Sequence, residues 1–117
     1  MKKKAIIISI KGYQLSEQEK KLLANEKPWG LILFKRNIKS LKQLIELIKK
    51  IRNISKDSKF PIMIDEEGGT VSRLSKIINN NLSRKLFGDI YKYSPEIALV
   101  IYKNYINNLI FILKKLE

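Results

Sequence analysis

One short apolar run, followed at once by acids and a glycine pair, constrains the fold of this chain more than any other feature. Residues 60–64 read Phe-Pro-Ile-Met-Ile. A run without polar alternation predicts a strand that is buried on both faces, as in a parallel sheet. Three acids follow at 65–67 and two glycines at 68–69, where the backbone can take angles closed to other residues. Because sites in α/β proteins gather at the carboxyl ends of parallel strands, the pattern predicts a site here.

Two similar apolar runs come earlier in the chain, at residues 5–10 and 30–34. We predict both as buried strands, with helices over 17–25 and 41–53 separating the three strands. This order indicates an α/β fold with a parallel sheet and right-handed crossovers. Alternation alone fits a doubly wound sheet and a barrel equally well.

The two predicted helices carry start signals and apolar faces. Ser16 with Glu19, and Ser40 with Gln43, fit capping boxes, in which each side chain satisfies the other residue's free amide. The side chains expected to face inward are Leu22 and Leu23 in the first helix and Leu41, Leu44, Ile45, Ile48 and Ile51 in the second.

The last third of the chain is less regular. Asn79-Asn80-Asn81 predicts a turn or loop, and residues 86–90 a small buried knot. Ser94-Pro95-Glu96 favours a helix start. Lysine and asparagine interrupt the apolar stretch that follows, so it falls short of the ~20 apolar residues of a membrane span, and we predict a buried helix. Its expected inner face consists of Ile97, Ile101, Tyr105, Leu109 and Ile112.

The formal net charge is +13, which would suit a nucleic acid or an anionic membrane as partner. We favour a compositional origin, because the chain holds 20 Ile, 20 Lys and 9 Asn, as AT-rich codons produce, and its lysines are scattered. Only four residues are Arg, the side chain that nucleic-acid readers use most. The chain has no Cys and no His, which excludes disulfides, Cys nucleophiles, Ser-His-Asp triads and His-based metal sites within it.

The first ten residues are similar to the start of a secretion signal. Their apolar stretch, residues 5–10, is six residues long, includes one serine and is followed by Lys11. That stretch is too short for a typical signal, so we predict a first strand and a cytoplasmic protein.

Two segments resemble glycoside hydrolase family 3. Residues 64–74 are similar to the family's Asp-(Gln/Glu)-Glu-Gly-Gly-x-Val-x-Arg segment, and residues 30–37 to its Gly-(Val/Leu)-Ile-Leu-Phe-x-Arg-Asn strand. Order and approximate spacing also match, closest to the bacterial cytoplasmic β-N-acetylglucosaminidases of cell-wall recycling. The resemblance implies an incomplete (β/α)8 TIM-type barrel. Residues 1–117 would be an N-terminal fragment of about three β/α units, because a whole barrel needs about 250 residues.

The resemblance also implies a function. It is the retaining hydrolysis that removes terminal non-reducing β-N-acetylglucosamine from cell-wall muropeptides, as part of a longer enzyme. Asp65 and Arg73 would bind the substrate by holding sugar hydroxyls, and the Arg73 fork would also suit pairing with Asp65 or its neighbours. The family's nucleophilic aspartate and acid/base histidine would lie downstream of Glu117, so no catalytic residue is expected here. The implied partner is a carbohydrate, with no cofactor, metal, nucleic acid or membrane, and the full-length protein is expected to be a monomer. Thr70 departs from the many relatives that carry Arg, which leaves the outer substrate contacts open.

Glu66 and Glu67 are not expected to be the two carboxylates of a glycosidase. A retaining pair stands about 5 Å apart with both groups facing the sugar, whereas neighbours at a strand end point to opposite faces. We expect one of them to bond backbone amides in the glycine turn. Arg36-Asn37, after the second strand, fits either a polar rim of a sugar pocket or a tie to backbone groups, and we favour the tie.

Two other hypotheses stay open, a small basic α/β binding module and an inactive truncated remnant. Salt dependence separates phosphate binding, which weakens steeply with added salt, from sugar binding. Three or four strands of a barrel leave an unpaired edge and half-covered faces. We therefore expect isolated 1–117 to be unstable, to aggregate, or to need a complementary chain.

Overall fold

The computed structural model describes residues 2–78 and 82–116. In this part of the chain, three strands alternate with helices. The elements are β1 (Lys4–Ile8), α1 (Glu17–Glu26), β2 (Pro28–Leu33), α2 (Leu41–Ser55), β3 (Ile62–Ile64), α3 (Arg84–Tyr93) and α4 (Pro95–Lys114). A single turn of 3-10 helix, Lys35–Asn37, follows β2. The predicted Asn79-Asn80-Asn81 turn lies outside the described residues.

The strands form one parallel sheet in the order β1-β2-β3, as predicted. The central strand β2 aligns Leu31 with Ile62 and Leu33 with Ile64 of β3. Gly30 permits this close approach, because a Cβ there would lie 3.0 Å from the Pro61 carbonyl oxygen. That same oxygen accepts a hydrogen bond from Leu31 N at 3.0 Å.

One hydrophobic core joins β2, α1, α2 and the loops after them. Its residues share exposures of a few percent or less because both helices turn apolar faces towards the central strand. They are Ile10, Leu15, Leu23, Leu31, Leu33, Ile38, Leu44, Leu47, Ile48, Ile51, Phe60, Leu74 and Leu116. The predicted inward face of α2 is confirmed, with Leu41 and Ile45 packed at the edge of this core.

The predicted helix caps are confirmed at Ser16 and only in part at Ser40. Ser16 and Glu19 bond reciprocally, as a capping box requires. Ser40 Oγ accepts from Gln43 N at 3.2 Å, but Gln43 Oε1 accepts from Lys39 N at 2.8 Å, one residue earlier than a capping box predicts. The Gln43 side chain is held on its other atom as well, because its Nε2 donates to Tyr13 O at 2.8 Å.

The prediction that the first strand is buried is wrong. β1 lies at the sheet edge, where it pairs with β2 alone among the described strands, and Ile6 and Ile7 are 52% and 48% exposed. Leu22, predicted to face inward from α1, is also exposed, whereas Leu23 is buried. Apolar composition predicted which segments form strands and helices, but it did not reveal which faces are covered.

The predictions for residues 86–90 and for the last helix are also wrong. The supposed knot lies within helix α3, which has no buried residue. In α4 only Ala98 is buried, and Ile97 is 56% exposed, while the other four residues of the expected inner face are half-buried. Among the described residues, α3 and α4 make their closest contacts with each other. The Phe87 ring meets Tyr102 and Tyr105, with centroids 5.3 and 5.6 Å apart.

Helix α4 is long and apolar enough to cross a membrane, judged by length and composition alone. An 18-residue stretch within the helix has a mean hydropathy of 1.2, and 6% of that stretch is buried. The expectation that lysine and asparagine bring the stretch below that threshold is therefore wrong. Core helices of soluble proteins meet the same criteria, so the property by itself assigns no membrane location.

Candidate functional site

Asp65 comes directly after β3, at the carboxyl edge of the sheet where the site was predicted. Its side chain is exposed and lines an open cavity of about 300 Å³ between the end of β3 and the α3–α4 pair. Within the described residues it makes no side-chain hydrogen bond or ion pair. Asp65 is therefore a carboxylate with both oxygens available to a ligand.

Glu66 bonds the backbone of the loop that follows, as expected for one of the two glutamates. Its Oε1 accepts from Gly68 N at 3.0 Å. Its Oε2 accepts from Arg73 N at 2.9 Å and from Leu74 N at 2.8 Å. Both oxygens of the Glu66 carboxylate therefore bond backbone N–H groups, which makes it a structural group rather than one that reacts with a sugar.

The loop needs glycine at two positions. Gly68 and Gly69 have φ of 78° and 59°, values in the left-handed region that side chains disfavour. A Cβ on Gly69 would also lie 2.8 Å from Ser83 Cβ. Val71 N closes the turn by donating to Gly68 O at 3.2 Å.

Arg73 is half-buried, with its guanidinium 5.9 Å from the centre of the Phe34 ring. Its Nε and the Ser72 Oγ are both buried, and neither has a hydrogen-bond partner among residues 2–78 and 82–116. Within the described part of the chain no ion pair joins Arg73 to Asp65, one of the partners for which the sequence suited its side chain. Glu66 holds the Arg73 backbone instead, and the Nε–H remains an unsatisfied donor, a costly arrangement for a buried group.

Arg36 and Asn37 tie the loops together, as favoured from the sequence. Asn37 is fully buried, and its Nδ2 donates to the carbonyls of Ile10 and Gly12, both at 3.0 Å. Its Oδ1 accepts from Phe34 N at 2.9 Å. Arg36 Nε donates to the same Ile10 carbonyl at 3.1 Å. The pair therefore fixes the carboxyl end of β2 to the segment after β1.

The opposite wall of the cavity was not predicted from the sequence. Glu67 forms an ion pair with Arg84 at the start of α3, and the rings of Phe87, Tyr102 and Tyr105 line the far side. The aromatic residues carried a weak signal, since Tyr102 and Tyr105 are one helical turn apart. Their proximity to Asp65 depends on how the α3–α4 pair folds back, which no local pattern encodes.

The arrangement can bind a polar ligand but has no pair of groups for glycoside cleavage. Asp65 offers two acceptor oxygens to the cavity. Arg73 is not among the residues that line the cavity, and its Nε–H is a buried donor. Glu66 is committed to backbone amides and Glu67 to Arg84. Among the described residues no cluster of three or more His, Cys, Asp or Glu could hold a metal ion.

Two relatives of this chain are both named β-hexosaminidase. No protein-family model matches the chain. A β-hexosaminidase from Haemophilus ducreyi is 39% identical over 92 residues, which is 78% of this chain and 26% of the relative. A β-hexosaminidase from Xanthomonas oryzae is 35% identical over 94 residues, covering 80% of this chain and 28% of the relative.

Solved structures agree with these relatives. NagZ from Neisseria gonorrhoeae, in complex with zinc ion, superposes with a TM-score of 0.73 at 28% identity over 82% of this chain and 29% of its own. The same organism's NagZ in complex with N-trifluoroacetyl-D-glucosamine gives 0.54 at 32% identity, over 61% and 20%. A glycoside hydrolase family 3 β-N-acetylglucosaminidase from a Paenibacillus species gives 0.53 at 30% identity, over 58% and 14%.

The parallel strands and the polar groups beyond their carboxyl ends define the class of protein, an incomplete β/α barrel with its site at the strand ends. Within that class, the chain belongs to glycoside hydrolase family 3, as an N-terminal segment of the β-hexosaminidase type. It spans about a quarter of the length of the curated relatives it matches. The resemblance predicted from two short motifs is confirmed.

Proposed function

We propose that this chain forms part of the sugar-binding side of a retaining β-N-acetylhexosaminidase that removes terminal non-reducing β-N-acetylglucosamine. The observation that carries the proposal is the Asp65 carboxylate at the end of β3, which lines the cavity and has no partner in the part of the chain that the structure describes. A carboxylate can accept two hydroxyl hydrogen bonds at once, and neighbouring sugar hydroxyls present such pairs of donors.

Arg73 has the second binding role in this proposal. Its buried Nε–H has no partner among the described residues, and a sugar hydroxyl or acetamide oxygen would satisfy it. A ligand analogue without that oxygen would bind more weakly, because the buried Arg73 Nε–H would then stay unpaired.

The catalytic groups are assigned outside residues 1–117. A retaining glycosidase needs two groups about 5 Å apart on either side of the bond. Glu66 and Glu67 are engaged elsewhere, and the chain contains no histidine. The nucleophilic aspartate and the acid/base histidine would therefore belong to other parts of the complete barrel, and 1–117 alone would not turn over substrate.

Finer features of the proposal rest on the resemblance. The substrate would be a cell-wall muropeptide in peptidoglycan recycling, the location cytoplasmic, and the complete enzyme a monomer without cofactor. The complex of a related NagZ with N-trifluoroacetyl-D-glucosamine supports an N-acylglucosamine ligand.

The test is a chimera in which this chain replaces the matched 92 residues of the Haemophilus ducreyi β-hexosaminidase. We expect it to hydrolyse a chromogenic β-N-acetylglucosaminide. Asp65→Asn should lower kcat/KM at least about 100-fold, because it weakens charge-assisted bonds to hydroxyls. Asp89→Asn, an exposed acid on α3, is the matched control. Equal activity of the two variants would refute the role of Asp65, and turnover by 1–117 alone would refute the assignment of catalysis elsewhere.

A further inference from the structure

We propose that Glu66 is the positioning residue that sets the geometry between Asp65 and Arg73. The inference rests on the proposed function, since it concerns the same sugar site. Glu66 would touch no sugar itself. It would act through the backbone on the two residues that do.

The carboxylate of Glu66 bridges two stretches of chain. One oxygen accepts from Gly68 N at 3.0 Å, on the near side of the glycine turn. The other accepts from Arg73 N at 2.9 Å and Leu74 N at 2.8 Å, on the far side. Three backbone donors converging on one charged acceptor form a strong, directional clasp.

The clasp lies between the two proposed binding residues. Asp65 is the residue before Glu66, and Arg73 is itself one of the bonded residues. Gly68 and Gly69 have positive φ and belong to the residue type with the most backbone freedom. Without the Glu66 carboxylate, the loop would keep the hydrogen bond from Val71 N to Gly68 O that closes the turn. It would lose the hydrogen bonds that fix the Arg73 backbone relative to Asp65.

A carboxylate and an amide differ in a testable way at this position. The single carbonyl oxygen of a glutamine could still accept from Arg73 N and Leu74 N, while its NH2 group would face the Gly68 N–H and lose that bond. Glu66→Gln should therefore retain most of the clasp. Glu66→Ala should remove all three hydrogen bonds, so that the Gly68, Arg73 and Leu74 N–H groups must bond water instead.

The first experiment measures amide hydrogen exchange and N-acetylglucosamine binding by NMR in the Haemophilus ducreyi chimera, where the rest of the barrel covers the apolar surface of residues 1–117. Glu66→Ala should speed exchange of the Gly68, Arg73 and Leu74 amides by about ten-fold or more. It should weaken sugar binding by about ten-fold, whereas Glu66→Gln stays within about three-fold of the parent chimera. Glu67→Ala, the same change one residue along, should leave exchange of those three amides unaltered.

The second experiment places Glu66→Ala and Glu66→Gln in the Haemophilus ducreyi chimera. A positioning role predicts that KM rises more than kcat falls, and that glutamine restores both. A merely structural role predicts a lower thermal midpoint with unchanged KM in the folded fraction.

The outcomes distinguish failure of this inference from failure of the proposed function. If the parent chimera does not bind N-acetylglucosamine, the proposed function is wrong, while the exchange rates of the three amides still test the hydrogen bonds to Glu66. If Glu66→Ala and Glu67→Ala give the same exchange and the chimera keeps its KM, the positioning role of Glu66 is overturned.

Discussion

Asn37 links the carboxyl end of β2 to the segment that follows β1. It is fully buried, donates to the Ile10 and Gly12 carbonyls and accepts from Phe34 N. Its replacement by alanine leaves several buried polar groups unsatisfied, at a cost of at least about 2 kcal/mol. We expect Asn37→Ala to lower the thermal midpoint of the chimera by about 4 °C or more.

The exposed Asn53 on α2 provides the control for this measurement. Asn53→Ala should leave the midpoint unchanged or raise it slightly, because alanine favours a helix. A midpoint for Asn37→Ala equal to that of Asn53→Ala would contradict the structural role of Asn37.

Gly69 should tolerate no side chain. Its φ is 59°, and an added Cβ would lie 2.8 Å from Ser83 Cβ. Gly69→Ala therefore carries a backbone cost of about 1–2 kcal/mol in addition to the steric contact, and it should lower both stability and sugar affinity of the chimera.

Gly88, within α3, is the matched comparison, since a Cβ there meets nothing within 4 Å. Gly88→Ala should stabilise the helix by about 0.5–1 kcal/mol. Thermal melting and binding titrations compare the two variants, and equal melting of both would argue against the strained turn.

The sequence predicted where the site lies better than it predicted the contacts there. The order of an apolar run, three acids and two glycines sufficed to predict that Asp65 lies at the end of β3 and that one glutamate bonds the glycine turn. The sequence suited Arg73 to pairing with Asp65 or its neighbours, and among the described residues no ion pair joins Arg73 to Asp65, because the direction of a long side chain depends on neighbours such as Phe34. No local pattern contains that information.

The start of α1 couples stability to pH. Burial opposes ionisation of Glu19, but hydrogen bonds from the Ser16 and Lys11 backbone N–H groups outweigh it and hold the pKa of Glu19 below its ordinary 4.5. A lowered folded pKa means that the stabilisation is present above the unfolded pKa and is lost as pH falls through the folded pKa.

Glu19→Gln should therefore destabilise the chimera near neutral pH and make little difference in acid, where the native carboxyl is protonated. Thermal midpoints of parent and variant across the pH range test this. Glu46→Gln, an exposed change on α2, should show no such difference. A gap between parent and Glu19→Gln that stays constant with pH would contradict the assignment.

The three strands and helices α1, α2 and α4 were predicted from apolar patterns and helix start signals, but helix α3 was not predicted. The burial of β1 and α4 was predicted wrongly. An apolar face on a helix or strand indicates that this face packs against another element, but it does not indicate which element that is. For β2 and α2 the partner is local, so the prediction was right. For β1 and α4 the described residues supply no partner for much of the apolar surface.

The molecule as a whole exposes apolar surface on two sides. Ile6 and Ile7 lie on the edge strand, and Leu99, Phe111 and other side chains are exposed along α4. Unpaired strand edges and apolar patches of this kind promote association. We expect 1–117 alone to bind a hydrophobic dye, to self-associate and to lack a sharp cooperative melt.

Replacement of Phe111, 61% exposed, by lysine should reduce dye binding and association of the isolated chain. The same change at the exposed polar Asn107 should reduce neither by as much, which controls for the added charge. Analytical ultracentrifugation and dye fluorescence measure these effects. A monomeric chain with one sharp melting transition would contradict this expectation.

The mutual packing of α3 and α4 has a consequence for proteolysis. These helices hold each other through the Phe87, Tyr102 and Tyr105 rings more than they hold the sheet, so they can detach as a pair while the layer of β1 to β3 stays closed. Lysine and arginine, 24 in all, are spread along the chain, and trypsin therefore has a cleavage point in almost every segment. Early digestion should trim the C-terminal third and leave a resistant piece that still ends beyond Asp65.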